Sequence, residues 1–165
     1  MPDILLATLN ARYSHASLGL RYLRANLGAL RECSAIREFV IGQKTEEIGE
    51  AILAAQPKIL GLGVYIWNCE ESLNLVLMLK AVQPDLIIIL GGPEVSYECN
   101  EQAICAAADY TITGWGDISF AQLCAQILAG EAPEGRIIPG IQAKLEDIVP
   151  PYEEYTEEDI RQRHL

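Results

Sequence analysis

The stretch Leu86-Ile87-Ile88-Ile89-Leu90-Gly91-Gly92-Pro93-Glu94-Val95 decides the fold class. Its first half is a short continuous apolar run, which is typical of a strand buried on both faces of a parallel sheet. Gly91 and Gly92 follow directly, and residues without a Cβ let a large ligand approach the backbone. Because ligands of open α/β sheets bind outside the carboxyl ends of the strands, the segment also predicts where a site would lie.

Strand-like and helix-like segments alternate on both sides of this stretch. The predicted strands cover residues 4–9, 35–41, 58–65, 85–90 and 110–113. Amphipathic segments separate them, and we predict Ser17 and Thr45 as the caps of the first two helices. This spacing predicts a doubly wound, flavodoxin-like α/β fold with a parallel sheet of order 2-1-3-4-5 flanked by helices. Residues 136–138 and 141–143, which flank Pro139 and Gly140, predict a small C-terminal hairpin.

The third predicted helix, residues 70–82, is apolar nearly all round. A surface helix normally keeps one polar face. Either a partner domain covers this helix, or a second copy of the chain covers it in a homodimer, or the pattern reflects tight packing. The apolar positions are Leu73, Leu75, Val76, Leu77, Met78 and Leu79.

Composition sets limits on the class of protein. The chain has 165 residues, 50% of them hydrophobic, and a formal net charge of -11. Such an acidic balance disfavours nucleic-acid and anionic-membrane binding. No apolar run approaches the roughly 18 residues of a membrane span, and no signal peptide is evident. The five cysteines lack CxxC spacing, which predicts reduced packing residues in a cytoplasmic protein.

The C-terminal part of the chain differs in composition. From Lys144 onward it is acidic and then basic, ending in Arg161, Arg163 and His164. We therefore predict a ligand-binding domain over residues 1–143 and a linker over residues 144–165.

Four loops should converge at the carboxyl edge of the sheet: residues 10–17, 65–68, 91–96 and 114–119. Trp67 and Trp115 lie just beyond strand ends, where a large flat ligand would give them something to cover. Familiar nucleotide motifs such as GxGxxG after the first strand and GxxxxGK[ST] are missing. No Ser–His–Asp or Cys–His pairing is supported either.

Four segments together resemble the cobalamin (B12)-binding domains attached to radical S-adenosylmethionine enzymes. They are LNARYSHASLGLRYL at 9–23, GLGVYIWN at 61–68, LGGPEV at 90–95 and GWGDISF at 114–120. The last is a variant of the family's G-E-G-E-x-x-F pattern, with Trp115 and Asp117 in place of the two glutamates. The resemblance spans roughly residues 3–152.

This resemblance implies that cobalamin docks at the carboxyl edge, with its nucleotide tail beside the sheet. The loop after the first strand would lie under the corrin, and small residues after the fourth and fifth strands would make room for the tail. A Cβ at Gly92 would then stand where the backbone meets the ligand. The implied cofactor-binding residues are Asn10, Tyr13, Ser14, His15, Ser17, Leu18, Tyr65, Trp67, Asn68, Gly91, Gly92, Pro93, Glu94, Val95, Gly114, Trp115, Gly116 and Asp117.

The resemblance also implies a catalytic half that this sequence does not contain. That half holds a [4Fe–4S] cluster on a C-x3-C-x2-C run and binds S-adenosylmethionine, and no such run occurs here. We expect the chain to be non-catalytic by itself, and to serve in cis a downstream domain of an enzyme that is a methyltransferase or a related one.

His15 is the candidate cobalt ligand, but its surroundings differ from the DxHxxG motif of methyltransferase-type cobalamin domains. Tyr13 stands at the Asp position and Leu18 at the Gly position. A ligating imidazole is normally oriented by a second group, usually a carboxylate. We therefore expect no protein ligand on cobalt, with ligation by His15 as the alternative.

Two other functions stay open from the residues alone. One is a flavodoxin-like interaction domain without a cofactor, which would dock a partner through the third helix. The other is an FMN-binding electron carrier, for which residues 14–17 would form an imperfect phosphate loop.

Overall fold

Six strands form one parallel sheet in a computed structural model that describes residues 1–163 of the chain. The strand order is β2-β1-β3-β4-β5-β6, which confirms the α/β fold and the predicted order of the first five strands. The strands are β1 (Ile4–Asn10), β2 (Ser34–Val40), β3 (Ile59–Gly63), β4 (Ile87–Gly91), β5 (Tyr110–Thr113) and β6 (Ile137–Pro139). The helices are α1 (Leu18–Ala25), α2 (Thr45–Ala54), α3 (Cys69–Val82), α4 (Ala103–Ala107), α5 (Ser119–Leu128) and α6 (Glu157–Gln162).

The core has two apolar layers, one on each face of the sheet. Alternate residues of a strand point to opposite faces, so Ile88 and Leu90 of β4 join the layer under α2, α3 and α4. Ile87 and Ile89 join the layer under α1 and α5. This two-sided burial explains why β4 is a continuous apolar run in the sequence.

The predicted C-terminal hairpin is wrong, because β6 adds to the sheet edge instead. Residues Ile137 to Pro139 pair in parallel with β5, with Ile138 opposite Ile112. The Gly140 amide continues the contact by donating to the Thr113 carbonyl at 2.7 Å. The backbone of this segment therefore forms its hydrogen bonds with the edge strand β5, and not with a second strand of a hairpin.

Ser17 caps α1 as predicted, whereas Thr45 does not cap α2. The Ser17 side chain accepts a hydrogen bond from the Leu20 amide at 3.3 Å. Thr45 is instead the first helical residue of α2, and Lys44 occupies the cap without a side-chain hydrogen bond. Glu46 and Glu47 in the first turn still suit the positive end of the helix dipole.

Most of the apolar surface of α3 belongs to the core. Leu75, Val76 and Leu79 are fully buried, and Leu73 and Met78 pack partly against the same layer. Leu77 and Val82 remain exposed. Of the alternatives, tight packing between α2 and α4 therefore accounts for most of the apolar pattern. A homodimer through α3 stays a prediction with little apolar surface to support it.

The segment after residue 144 packs back onto the domain, contrary to its appearance as a linker poor in buried residues. Pro151, Glu154 and Asp159 are buried. The Glu154 carboxylate pairs with Arg24 of α1 and with Arg31, which lies at 2.6 Å. His164, part of the basic end noted in the sequence, lies outside the described residues.

Four buried charges join this segment to α1 and β2. Arg21 of α1 and Arg163 each contact both Glu38 of β2 and Asp159 of α6, at distances of 2.8 to 3.3 Å. Burial by itself would raise the pKa of Glu38, but hydrogen bonds from Arg21, Asn10 and Ser17 outweigh it and lower the pKa. The pKa of Asp159 is likewise lowered, because bonds from Thr156 and Arg21 outweigh its burial. The cluster is therefore a neutral, fully ionised ring near neutral pH.

We predict that Asp159→Asn lowers the free energy of unfolding at pH 7 by roughly 1–3 kcal/mol, since it leaves two guanidinium groups with one carboxylate. A carboxylate whose pKa is lowered by folding stabilises the protein above its unfolded pKa, and this contribution disappears as the pH falls. The gap between variant and parent should therefore close below the ordinary Asp value of 3.8. Urea unfolding between pH 7 and pH 3 measures the gap. Glu157→Gln, which alters an exposed pair on the same helix, should show little difference at any pH.

Candidate functional site

A slot opens at the carboxyl edge of the sheet because three neighbouring strands end in glycine or are followed by one. Gly63 of β3 and Gly91 of β4 lie opposite each other in the strand register. Both share a face with the layer under α1 and α5, since Gly91 lies two residues after Ile89. Gly114 follows β5 directly. The sheet surface therefore lacks side chains where three strands meet the edge.

Helices α1 and α5 form the walls of this slot, which has a free volume of about 170 Å³. Leu20 and Leu23 line it from α1, and Phe120 lines it from α5. A Cβ built on Gly91 or on Gly114 would meet no heavy atom within 4 Å, so both glycines border open space. Gly19, Gly116, Tyr65 and Asp117 also line the slot. The result is a mostly apolar slot with a hydroxyl and a carboxylate among its lining residues.

Gly92 has a steric role within the protein. Its φ of +115° lies in a region that residues with a side chain rarely adopt. A Cβ there would overlap the carbonyl of Val64, the residue that follows β3. The Val64 amide donates to the Gly91 carbonyl at 2.8 Å, which draws the two backbones together. The steric demand at Gly92 therefore comes from the protein itself, and its role toward a ligand stays a prediction; both Gly91 and Gly92 line the slot.

An aromatic pair stands beside the slot. Tyr65 and Trp67 stack with their ring centroids 4.5 Å apart and their planes 7° from parallel. The Trp67 indole donates to the Leu9 carbonyl at 3.2 Å, which ties the pair to the end of β1. Trp67 is nevertheless 47% exposed, and Trp115 across the edge is 53% exposed. These rings offer flat apolar surface at the place where the sequence predicted a large ligand.

Two predicted site residues, Asn10 and Asn68, form side-chain hydrogen bonds to the backbone of the loops around the site. Asn68 is fully buried; its amide donates to the Leu9 carbonyl at 2.9 Å and accepts from the Tyr65 amide at 2.8 Å. Asn10 is also buried and donates to the His15 carbonyl and to Glu38, both at 2.9 Å. Both side chains fix the shape of the loops around the site.

Ser96 links the loops after β4 and β5. Its hydroxyl donates to the Gly92 carbonyl at 2.8 Å and accepts from the Gly114 amide at 3.0 Å. Val95 beside it is fully buried, whereas Pro93 is exposed and Glu94 is half-buried. Sequence reasoning placed Ser96 in this loop without giving it a role, because its two partners follow different strands.

The loop after β1 presents several predicted residues at the surface. His15 is exposed, Tyr13 and Leu18 are each 53% exposed, and Ser14 and Ser17 are half-buried. Glu38, which the sequence did not single out, joins the two ends of this loop. One carboxylate oxygen accepts from Asn10 at 2.9 Å and from the Ser17 amide at 2.5 Å. A charged residue inside a half-buried strand was the one available signal for it.

No metal-binding cluster of His, Cys, Asp or Glu occurs among residues 1–163. No carboxylate in that range hydrogen-bonds to the His15 ring. Burial raises the pKa of Cys124 to about 12 and that of Cys105 to about 12. Such thiols stay protonated near neutral pH and act as packing groups, whereas metal ligation needs the thiolate.

Comparison with known proteins identifies the family. The family model of the B12 binding domain matches residues 4–124 of this chain. The chain is 26% identical over 100 residues to the cobalamin-dependent radical SAM methyltransferase TokK of Streptomyces tokunonensis, covering 60% of this chain and 14% of TokK. The chain thus spans about one seventh of that relative. It belongs to the B12 binding domain family and resembles the cobalamin-binding domain of B12-dependent radical SAM methyltransferases.

Solved structures support the fold. A cobalamin-binding protein from Desulfitobacterium hafniense superposes with a TM-score of 0.56 at 23% identity, covering 76% of this chain and 58% of that one. The radical S-adenosylmethionine methyltransferase TsrM from Kitasatospora setae gives 0.62 at 18% identity, covering 90% of this chain and 30% of that one. No helix within the described residues is long and apolar enough to cross a bilayer.

We predict that Gly92→Ala destabilises the fold by about 2–4 kcal/mol, because alanine would combine an unfavourable φ with overlap at Val64. Thermal or urea unfolding in the absence of any ligand measures the change. Gly135→Ala is the matched control, since Gly135 is exposed and a Cβ there meets nothing within 4 Å. Equal stability of the two variants would contradict the steric role of Gly92.

Proposed function

We propose that this chain is the corrinoid-binding module of a B12-dependent radical SAM enzyme and has no catalytic activity of its own. The observation that carries the proposal is the slot behind Gly63, Gly91 and Gly114, which coincides with the loops that resemble the family. The slot suits a flat, mostly apolar group entering from the carboxyl edge. Membership in the B12 binding domain family supports cobalamin as the ligand.

The residues of the site divide between two parts of the cofactor. The slot would take the nucleotide tail between the sheet and α1, where Gly91 and Gly114 leave room. Tyr65 and Trp67 would cover part of the corrin with their stacked rings, and Trp115 would shield it from the opposite side. Bound cobalamin would supply a cobalt centre able to carry a transferable methyl group. The protein's part is to bind, orient and shield that group.

The enzyme as a whole is part of the proposal. TokK, named as a cobalamin-dependent radical SAM methyltransferase, extends well beyond the region that this chain covers. We infer that a radical SAM domain holding the [4Fe–4S] cluster and S-adenosylmethionine acts on the cofactor in cis. Residues 144–165 would lead toward it, and methyl transfer is the reaction class. A cytoplasmic location rests on the cysteine spacing.

We predict that Gly91→Leu abolishes tight binding of hydroxocobalamin while preserving the fold. The leucine side chain would occupy the slot, and its Cβ meets no protein atom within 4 Å. Displacing or distorting the tail should raise the Kd at least about tenfold, equal to about 1.4 kcal/mol. Equilibrium dialysis against both proteins measures this, with Gly135→Leu as an exposed control.

Parallel titration with FMN separates the other functions. Saturable FMN binding that Gly91→Leu weakens would favour an electron carrier. Binding of neither FMN nor hydroxocobalamin by the parent protein would favour an interaction domain without a cofactor. Unchanged hydroxocobalamin affinity in a folded Gly91→Leu variant would remove the slot from the site.

We further predict that His15 does not ligate cobalt in the complex. The His15 ring has no carboxylate partner within residues 1–163 to fix its tautomer, and a ligating imidazole usually needs one. Electron paramagnetic resonance of the Co(II) form tests this in the parent protein and in His15→Ala. The two spectra should have the same nitrogen splitting. Splitting that disappears only in His15→Ala would identify His15 as the ligand.

A further inference from the structure

Two regions distant in sequence meet at the loop after β1, residues 10–17. Glu38 of β2 closes this loop from within by accepting hydrogen bonds from Asn10 and from the Ser17 amide through one oxygen, Oε1. Its other oxygen, Oε2, accepts from Arg21 at 2.9 Å and from Arg163 at 2.8 Å. Glu38 therefore joins the loop to the C-terminal segment.

Arg163 also contacts the loop itself. Its guanidinium donates to the His15 carbonyl at 3.2 Å and lies 5.2 Å from the centre of the Tyr13 ring. The Tyr13 hydroxyl donates to Gln162 at 3.1 Å. The end of the described chain thus holds the middle of the loop, while Glu38 holds its two ends.

The ion pairs of Arg163 lie among largely buried side chains, so breaking one of them is energetically costly. The side chains of Arg163, Glu38 and Asp159 are 13%, 5% and 10% exposed. With Arg21 they form a neutral ring of two cations and two anions. Loss of one member leaves an uncompensated buried charge, which is far more costly than loss of a surface pair.

We propose that Arg163 is a positioning residue for corrinoid binding, which with Asp159 and Glu38 holds residues 10–17 in the conformation that the cofactor contacts. This inference rests on the proposed function and on the family resemblance, which implies that the loop lies under the corrin. It assigns a role in cofactor binding to the segment that the sequence presented as a linker. A linker that holds a cofactor loop would couple the position of whatever follows it to cofactor affinity.

The expected effect on the Kd follows from the fraction of molecules in which the loop is correctly placed. If loss of Arg163 leaves the loop correctly placed in about one tenth of the molecules, the apparent Kd for the cofactor rises about tenfold. The test compares the parent with Arg163→Gln, Arg163→Lys and Arg161→Gln. Arg161 is a matched control because it lies two residues away, is 76% exposed and pairs with Glu157 alone among the described acidic residues.

Two measurements are made on each folded variant. Equilibrium dialysis gives the Kd for hydroxocobalamin, and amide hydrogen exchange without cofactor reports the order of residues 10–17. Arg163→Gln should raise the Kd about tenfold and accelerate exchange in the loop by a similar factor. Arg163→Lys should fall between it and the parent, because one ammonium keeps the charge but cannot replace the planar fork over Tyr13. Arg161→Gln should match the parent in both measurements.

Tyr13→Leu provides a second test that leaves the buried charges intact. Loss of the ring and hydroxyl contacts should raise the Kd about threefold, a smaller effect than loss of Arg163. Unchanged Kd values in Arg163→Gln and Tyr13→Leu, with tight binding by the parent, would overturn the positioning role alone. Unchanged loop exchange in Arg163→Gln would overturn it as well. Absence of binding by the parent would instead reject the proposed function on which the inference depends.

Discussion

The site depends on one steric constraint, the lack of side chains where β3, β4 and β5 reach the same edge. Gly63 and Gly91 are register partners, so two missing side chains adjoin and produce one continuous slot. Phe120 can then pack over Gly61 deeper in the sheet, where a Cβ would stand 2.7 Å from its ring. Gly63 and Gly91 thus open the slot, while Gly61 sets how closely α5 packs on the sheet.

The two glycines of the turn after β4, Gly91 and Gly92, have different steric surroundings. A side chain at Gly91 would enter the open slot, whereas a side chain at Gly92 would overlap the backbone of Val64. Val64 fills the space beside Gly92 and fixes the turn, and Ser96 then ties that turn to Gly114. A rigid turn next to an open slot is a preorganised arrangement, in which little ordering remains to be done when a ligand enters.

Sequence reasoning predicted what local pattern controls and missed what long-range pairing controls. The apolar run of β4 and its glycines gave the strand, the edge and the loop, since burial on both faces leaves a direct signature. The pairing of Gly63 with Gly91 depends on register, which no local pattern encodes. β6 was missed for a related reason: a three-residue strand at a sheet edge is indistinguishable from half of a hairpin. Glu38 and Arg163 are 125 residues apart in the chain, so their contact had no sequence signal beyond two charges.

This division explains why the sequence identified the glycines of the slot but not the contacts that hold the loop after β1. Each glycine of the slot can be recognised by itself in the sequence, because each meets a local steric requirement. The loop after β1 is held by Glu38 of β2, Arg21 of α1, and Asp159 and Arg163 of the C-terminal segment, which work as a set. Such a set can be replaced by another neutral arrangement without leaving a motif. The two parts of the site should therefore diverge differently, with the slot constrained by shape and the loop by charge balance.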